Sequence, residues 1–215
     1  MKIFLRLISL LIFMFVLLIW LAGCDFGTAG LAIDRVGDFT ADAPQPPYEL
    51  NRKAEDFSDL PSELLLTAEQ LAAIDGAAAA VGMAPDVVAL TVEKELRALD
   101  SGELERDVVS ALAGEDTSIG IAQVRVSTAE EIERLDLQGL FPPPEKTDEA
   151  RTERIRRLAA DGWSVLYAAA YLDILQGRHP ADSPLDLAER YTGRTPGEPT
   201  ESDQALLKTM TELFE

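Results

Sequence analysis

Two glutamates, Glu93 and Glu95, and a polar, glycine-bearing stretch over residues 117–129 are where this chain could do chemistry. Both glutamates lie in a segment, residues 85–99, whose apolar residues recur at helical spacing. At about 100° per residue, Val88, Val92, Leu96 and Leu99 form one stripe, with Glu95 about 60° from its centre and Glu93 about 100° away on the other flank. Glu95 is therefore expected nearer the core. A carboxyl held against apolar side chains keeps its proton to higher pH and can act as a general acid, which is what cleavage of a glycosidic bond requires. Glu93 is the alternative acid, and a structural ion pair of Glu95 with Arg97 or Arg125 is the competing role. In the second stretch Gly120 permits close backbone approach, while Ser118 and Gln123 supply donors and acceptors. They read as one wall of a substrate groove or, alternatively, as residues that cap a turn. The single histidine, His179, sits in an Arg-His-Pro loop, and no His/Cys cluster, P-loop or glycine-rich dinucleotide motif is present. No metal and no cofactor are expected.

The order of these residues is similar to the lysozyme-like domain of soluble lytic transglycosylases. The matching features are Pro85, a hydrophobic helix with a glutamate ten residues on, Ser118-x-Gly120-x-x-Gln123, then Thr128-Ala129. Further along, Ala170-Tyr171-Leu172 and Leu187-Ala188-x-x-Tyr191-Thr192-Gly193 resemble two later motifs of that family. The resemblance implies a mainly α, lysozyme-like domain with at most a short β element. It also implies Glu95 as the one catalytic residue, with Ser118, Gly120, Gln123, Tyr191 and Thr192 binding substrate and the Tyr191 hydroxyl approaching Glu95 or the sugar. Its reaction would cleave the β-1,4 bond between N-acetylmuramic acid and N-acetylglucosamine in peptidoglycan and leave a 1,6-anhydro end. The chain departs from the pattern at Leu96, where the family has serine, at Ala122, where it has methionine, and at Thr192, where it has asparagine. Two alternatives therefore stand beside the transglycosylase: a lipoprotein that binds peptidoglycan or a cell-wall enzyme without cleaving, and a hydrolytic lysozyme using a second carboxylate such as Asp116.

Helix signals dominate the segment that must position these residues. Thr67-Ala68-Glu69-Gln70 reads as a capping box before an alanine-rich run that stops at Gly82. Pro85 suits the first turn of the Glu95 helix, and residues 100–116 read as an acidic loop. Residues 119–126 alternate as a short strand would, and Ser127-x-x-Glu130 reads as a second capping box, opening a helix toward residues 138–139. Helices are then expected over 148–160, over 163–176 with a stop at Gly177, from Ser183-Pro184 toward Tyr191, and over 202–214.

The N-terminus reads as an address. Lys2 and Arg6 precede an apolar run over residues 7–22, and Leu21-Ala22-Gly23-Cys24 fits a bacterial lipobox in which Cys24, the sole cysteine, accepts diacylglycerol. The expected organisation is a signal peptide over 1–23, a lipidated Pro/Gly/Asp-rich tether over 24–62 and the lysozyme-like domain over 63–215. An ordered arm packing through Tyr48, Leu50 and Phe57 is the alternative to the tether. More than one acyl chain is enough for stable anchoring. Asp25 favours the outer face of the cytoplasmic membrane, the periplasmic side in a Gram-negative cell, over the outer membrane. The formal charge of −19 becomes −21 once Lys2 and Arg6 are removed with the signal. Such a surface excludes phosphate-driven nucleic-acid binding and leaves the lipid as the membrane contact.

Overall fold

A computed structural model describes residues 39–135 and 138–215. The signal peptide and Cys24 lie outside the described residues. The protein is mainly helical, with one two-stranded antiparallel ribbon.

Local chemistry accounts for most helix ends. Helix α1, Ala68–Val81, opens on the Thr67/Gln70 capping box and closes on Gly82, whose left-handed backbone (φ 80°) lets its N–H reach the carbonyls of Ala78 and Ala79. Helix α2, Pro85–Ala98, starts with proline at its first position and buries Val87 through Glu93. The acidic loop expected over 100–116 is instead largely a helix, α3, Glu103–Leu112. Leu104, Val108 and Ala111 give it an inner stripe that charge counting hides, and Val108 and Ala111 are buried.

The expected strand over 119–126 is a hairpin. Strands β1, Ser118–Ile119, and β2, Val124–Arg125, pair antiparallel in the register Ser118–Arg125 and Ile119–Val124, with residues 120–123 as the turn. The left-handed backbone at Gly120 (φ 76°) makes the reversal possible. The Ser127 capping box does not form, because helix α4, Val126–Leu135, has already begun at Val126. Its first turn is capped from outside: Asp116 accepts from the Ser127 N–H at 2.9 Å and the Ser127 hydroxyl at 2.8 Å.

Helix α5 is Asp148–Ala159, capped by Thr147. Helix α6 extends over Asp161–Arg178 and runs straight through Gly177, since one exposed glycine costs about 1 kcal/mol and cannot stop a packed helix. It is the central element, buried from Trp163 to Ala170 and again at Leu172 and Leu175, and its most extensive partner is the alanine-rich face of α1. Helix α7, Pro184–Tyr191, opens on a Ser183/Asp186 capping box, and α8, Glu201–Phe214, opens on a Thr200/Asp203 box and packs on α2.

A buried charge cluster ties α4, α5 and α6 together. Glu133 accepts from Arg154 Nη2 at 2.6 Å, Arg157 Nη2 at 2.9 Å and the Tyr167 hydroxyl at 2.7 Å. Burial and the Glu133 charge push the Tyr167 hydroxyl far above its ordinary value, so it remains a donor.

The expected tether is, over residues 39–62, an ordered arm. Trp163 Nε1 donates to the Pro44 carbonyl at 2.5 Å, and the Tyr48 hydroxyl donates to the Gly162 carbonyl at 3.0 Å. Arg52 reaches the carbonyls of Leu213 and Phe214 at 2.9 and 3.0 Å, and Phe57, only 3% exposed, meets Phe214 edge-on at 5.5 Å. Of the three anchors considered for such an arm, Tyr48 and Phe57 serve, while Leu50 is exposed. A low-hydropathy segment is held here by a few aromatic and backbone contacts, which composition does not reveal. Among the described residues no helix is long and apolar enough to cross a membrane.

Candidate active site

Helices α2, α6 and α7 and the β1–β2 hairpin enclose a cleft of about 470 Å³. Glu95 projects into it from α2, with Ser118 and Gln123 from the hairpin, Tyr171 from α6, and Tyr191 and Thr192 from the end of α7. Glu95 is the sole carboxylate among the lining residues. Burial pushes its carboxyl up to about 7, against the opposing pull of Arg194 and Lys94. Near neutral pH it is thus divided between a form that gives a proton and one that takes it.

Glu93 does not share this cleft. The helical wheel placed it farther from the core than Glu95, and the order is reversed: Glu93 is 0% exposed, while Glu95 is half-buried. The Glu93 carboxylate accepts from the N–H groups of Leu65 and Leu66 at 3.0–3.1 Å and from Arg97 Nε at 2.8 Å. Arg97 in turn donates to the Glu63 carbonyl at 3.0 Å. A wheel counts only a helix's own apolar stripe and cannot foresee that residues 63–66, leading into α1, will cover the other flank. Arg97 is therefore the partner of Glu93, not of Glu95.

The hairpin turn is held from two sides. Ala122 donates through its N–H to Ser164 Oγ at 3.2 Å and accepts at its carbonyl from the Tyr191 hydroxyl at 2.7 Å. Tyr191 packs against Tyr171 with ring centroids 5.4 Å apart and planes tilted by 57°. The Tyr191 hydroxyl, expected at Glu95 or the sugar, donates to the Ala122 carbonyl while staying within the reach of the Glu95 charge; burial, then that charge, raise it well above its ordinary value. Tyr191 positions the hairpin.

Gly120 is absent from the cleft lining. A β-carbon there would lie 2.0 Å from the Leu158 carbonyl oxygen and 2.5 Å from Ser164 Oγ, so its close approach is to the end of α5 rather than to a ligand. The expected substrate-binding role gives way to a packing one.

Gln123 takes a left-handed backbone (φ 51°), unusual outside glycine. Its amide nitrogen donates to the Gly120 carbonyl at 3.1 Å and lies 3.4 Å from Asp107 Oδ2, while its amide oxygen has no partner among the described residues. That oxygen can accept from a hydroxyl or amide in the cleft. Thr192 lines the cleft and also closes α7, donating to the Glu189 carbonyl at 2.8 Å. Asp116, the candidate second carboxylate, is committed to Ser127 and does not line the cleft.

Four cations also line the cleft: Arg125, considered above as a partner of Glu95, and Lys94, Arg190 and Arg194, which sequence reasoning missed. Two of these were in plain view, since Lys94 precedes Glu95 and Arg194 directly follows the Tyr191-Thr192-Gly193 turn. Lys94 bonds Glu189 at 2.5 Å and Asp203 at 3.0 Å, joining α2 to α7 and α8. Burial alone would lower the Lys94 ammonium, and these two carboxylates more than reverse that, so it stays charged. Among the described residues no group of three or more His, Cys, Asp or Glu side chains could hold a metal ion.

The chain matches no protein-family model and no curated protein.

Proposed function

We propose that this protein is a lytic transglycosylase of lysozyme-like fold that cleaves the N-acetylmuramic acid to N-acetylglucosamine bond of peptidoglycan, using Glu95 as its one catalytic carboxyl. The observation that carries this is a single half-buried carboxyl, raised to about 7, as the sole carboxylate of a glycan-sized cleft walled by a polar hairpin and two tyrosines. Inverting and retaining glycosidases need two carboxylates, and Asp116, the candidate second one, is engaged elsewhere.

In the proposed reaction Glu95 protonates the glycosidic oxygen as the bond to the muramic C1 breaks. The substrate's own N-acetyl oxygen takes up the developing positive charge. Glu95, now a carboxylate, accepts the C6 hydroxyl proton as that oxygen attacks C1, which closes the 1,6-anhydro ring and restores the acid. Water is neither consumed nor released. A group near 7 suits both halves, because it must give and take a proton in one turnover. We further propose that lipid on Cys24 holds the domain at the outer face of the cytoplasmic membrane, within reach of the wall.

Replacing Glu95 with Gln tests the assignment. Turnover on purified peptidoglycan should fall by about 10²–10⁴-fold, the usual loss of general acid catalysis. In the wild type, kcat/KM should decline above a pH of about 7 as Glu95 gives up its proton. A Glu95→Gln chain that still cleaves would remove Glu95 from the chemistry, and an inactive wild type that still binds glycan would leave a binding protein.

A further inference from the structure

The Gln123 amide is oriented from behind. Its nitrogen lies against two acceptors, the Gly120 carbonyl at 3.1 Å and Asp107 Oδ2 at 3.4 Å. An amide nitrogen has two hydrogens to give and an amide oxygen has none, so this pair of partners selects one end of the group. Turned over, the amide would set its oxygen against a carbonyl oxygen and a carboxylate, like against like on both sides. A separation of 3.4 Å is long for a hydrogen bond, yet a carboxylate charge still distinguishes the two ends of an amide at that range. The backbone fixes where the side chain starts: Gln123 is left-handed (φ 51°), and its own N–H also donates to the Gly120 carbonyl at 3.1 Å.

Asp107 does not line the cleft. It belongs to α3, which buries Val108 and Ala111 and packs on α5 and β1. Its second oxygen accepts from the hydroxyl of Thr117, the residue before β1, at 3.4 Å. One carboxylate thus touches both the foot and the turn of the hairpin. Burial raises the Asp107 carboxyl above its ordinary value, while the hydrogen bonds from Gln123 and Thr117 favour its charged form. The orientation it imposes matters in this cleft, because Lys94, Arg125, Arg190 and Arg194 among the lining residues are donors only.

We propose that Asp107 is a positioning residue of the cleft: acting through Gln123, it turns the amide so that an oxygen faces the ligand, and a hydroxyl or N–H of the ligand is what binds there. The proposal rests on the reading of the cleft as a sugar-chain site and adds to it a residue from the stretch expected as an acidic loop, outside every motif of the resemblance. Without Asp107 the Gly120 carbonyl alone must hold the amide, and orientations that offer a donor to a donor become populated. Part of the binding free energy is then spent on ordering Gln123.

The test uses the full-length chain in detergent carrying Glu95→Gln, which binds without cleaving, with an N-acetylglucosamine tetrasaccharide as the probe. By titration calorimetry Asp107→Ala should weaken binding about 3- to 10-fold, the share of one hydrogen bond. Asp107→Asn, which keeps an oxygen for the amide to bond, should restore most of it. Gln123→Ala should cost about as much, and adding Asp107→Ala to it should cost nothing more, because the two act as a unit. A carboxylate that only braced the hairpin would weaken binding as much with Gln123 gone as with it present; that result, or an unchanged affinity in Asp107→Ala, would overturn the proposal. A second measurement needs no ligand. In nitrogen-15 NMR the two Gln123 side-chain amide protons, identified as the pair missing from Gln123→Ala, should differ in shift from free glutamine and exchange slowly with water, and Asp107→Ala should move them toward the free values. A pair already at free-glutamine values in the parent, or one that Asp107→Ala leaves unmoved, would equally overturn it. Failure of the tetrasaccharide to bind the parent would count against the glycan reading, and the amide spectrum would then decide the placing of Asp107 by itself.

Discussion

Glu93 and Glu95 sit two residues apart and meet opposite fates, because what surrounds a carboxyl decides its chemistry more than its place on a helical wheel. Two backbone N–H groups and Arg97 hold the Glu93 carboxylate, which makes it a structural anion. Glu95 has no such partners among the described residues and is desolvated, so its folded-state value lies above the ordinary 4.5, at about 7. A raised carboxyl stabilises the fold below its unfolded value and loses that contribution as pH climbs to the folded value. Glu95→Gln should therefore melt with the wild type near pH 4.5 and above it by pH 7 to 8. Discounting for screening on the side of Glu95 open to the cleft, the gain is about 1 kcal/mol, or about 2–4 °C in a domain of this size. Differential scanning calorimetry across that range would show it, and a gap that stays constant with pH would mean Glu95 is not raised. A gain in stability on losing the acid is the expected signature of a site strained for function.

At the scale of elements, the hairpin is the part least legible in the sequence and most exposed to error. Its alternation suggested one strand because periodicity does not register a reversal that depends on Gly120 and Gln123 both adopting left-handed backbones. The helix signals were stronger: the Thr67/Gln70 box, Gly82 and Pro85 all act where their chemistry says they should. The Ser127 box failed because α4 begins one residue earlier, at Val126, and Asp116 from the preceding loop caps its first turn. Gly120 was singled out correctly as a position of close approach, but what approaches it is the Leu158 carbonyl. Gly120→Ala should cost about 2–4 kcal/mol from overpacking and left-handed strain combined. Urea denaturation would measure this, and a loss under about 0.5 kcal/mol, the range of a harmless surface change, would mean the hairpin does not press on α5.

Across the whole molecule, the helical class and the order of the site residues were readable in the chain, whereas the arm and the cationic cleft were not. Proline-rich, acidic composition hides an arm anchored by Tyr48, Arg52 and Phe57. Likewise a net charge of −19 hides a cleft of opposite sign. Both are properties of arrangement that summed composition averages away. The arm also bears on the proposed anchor, since the described structure begins at Phe39, within 15 residues of Cys24 in the sequence. Cys24→Ala should abolish incorporation of an alkyne fatty acid in cells, because no other cysteine can accept the thioether-linked lipid. Label persisting on that variant would remove the lipid anchor from the account.

In the proposed reaction one carboxyl, Glu95, both gives and takes the proton, with the substrate's own hydroxyl in place of water. Cleavage of purified peptidoglycan in water enriched in heavy oxygen tests it directly. The wild type, and not Glu95→Gln, should form fragments that carry no label and have the mass of the anhydro sugar. Heavy oxygen at the new reducing end would contradict it, because water would then be the nucleophile and a second activating group would have to exist.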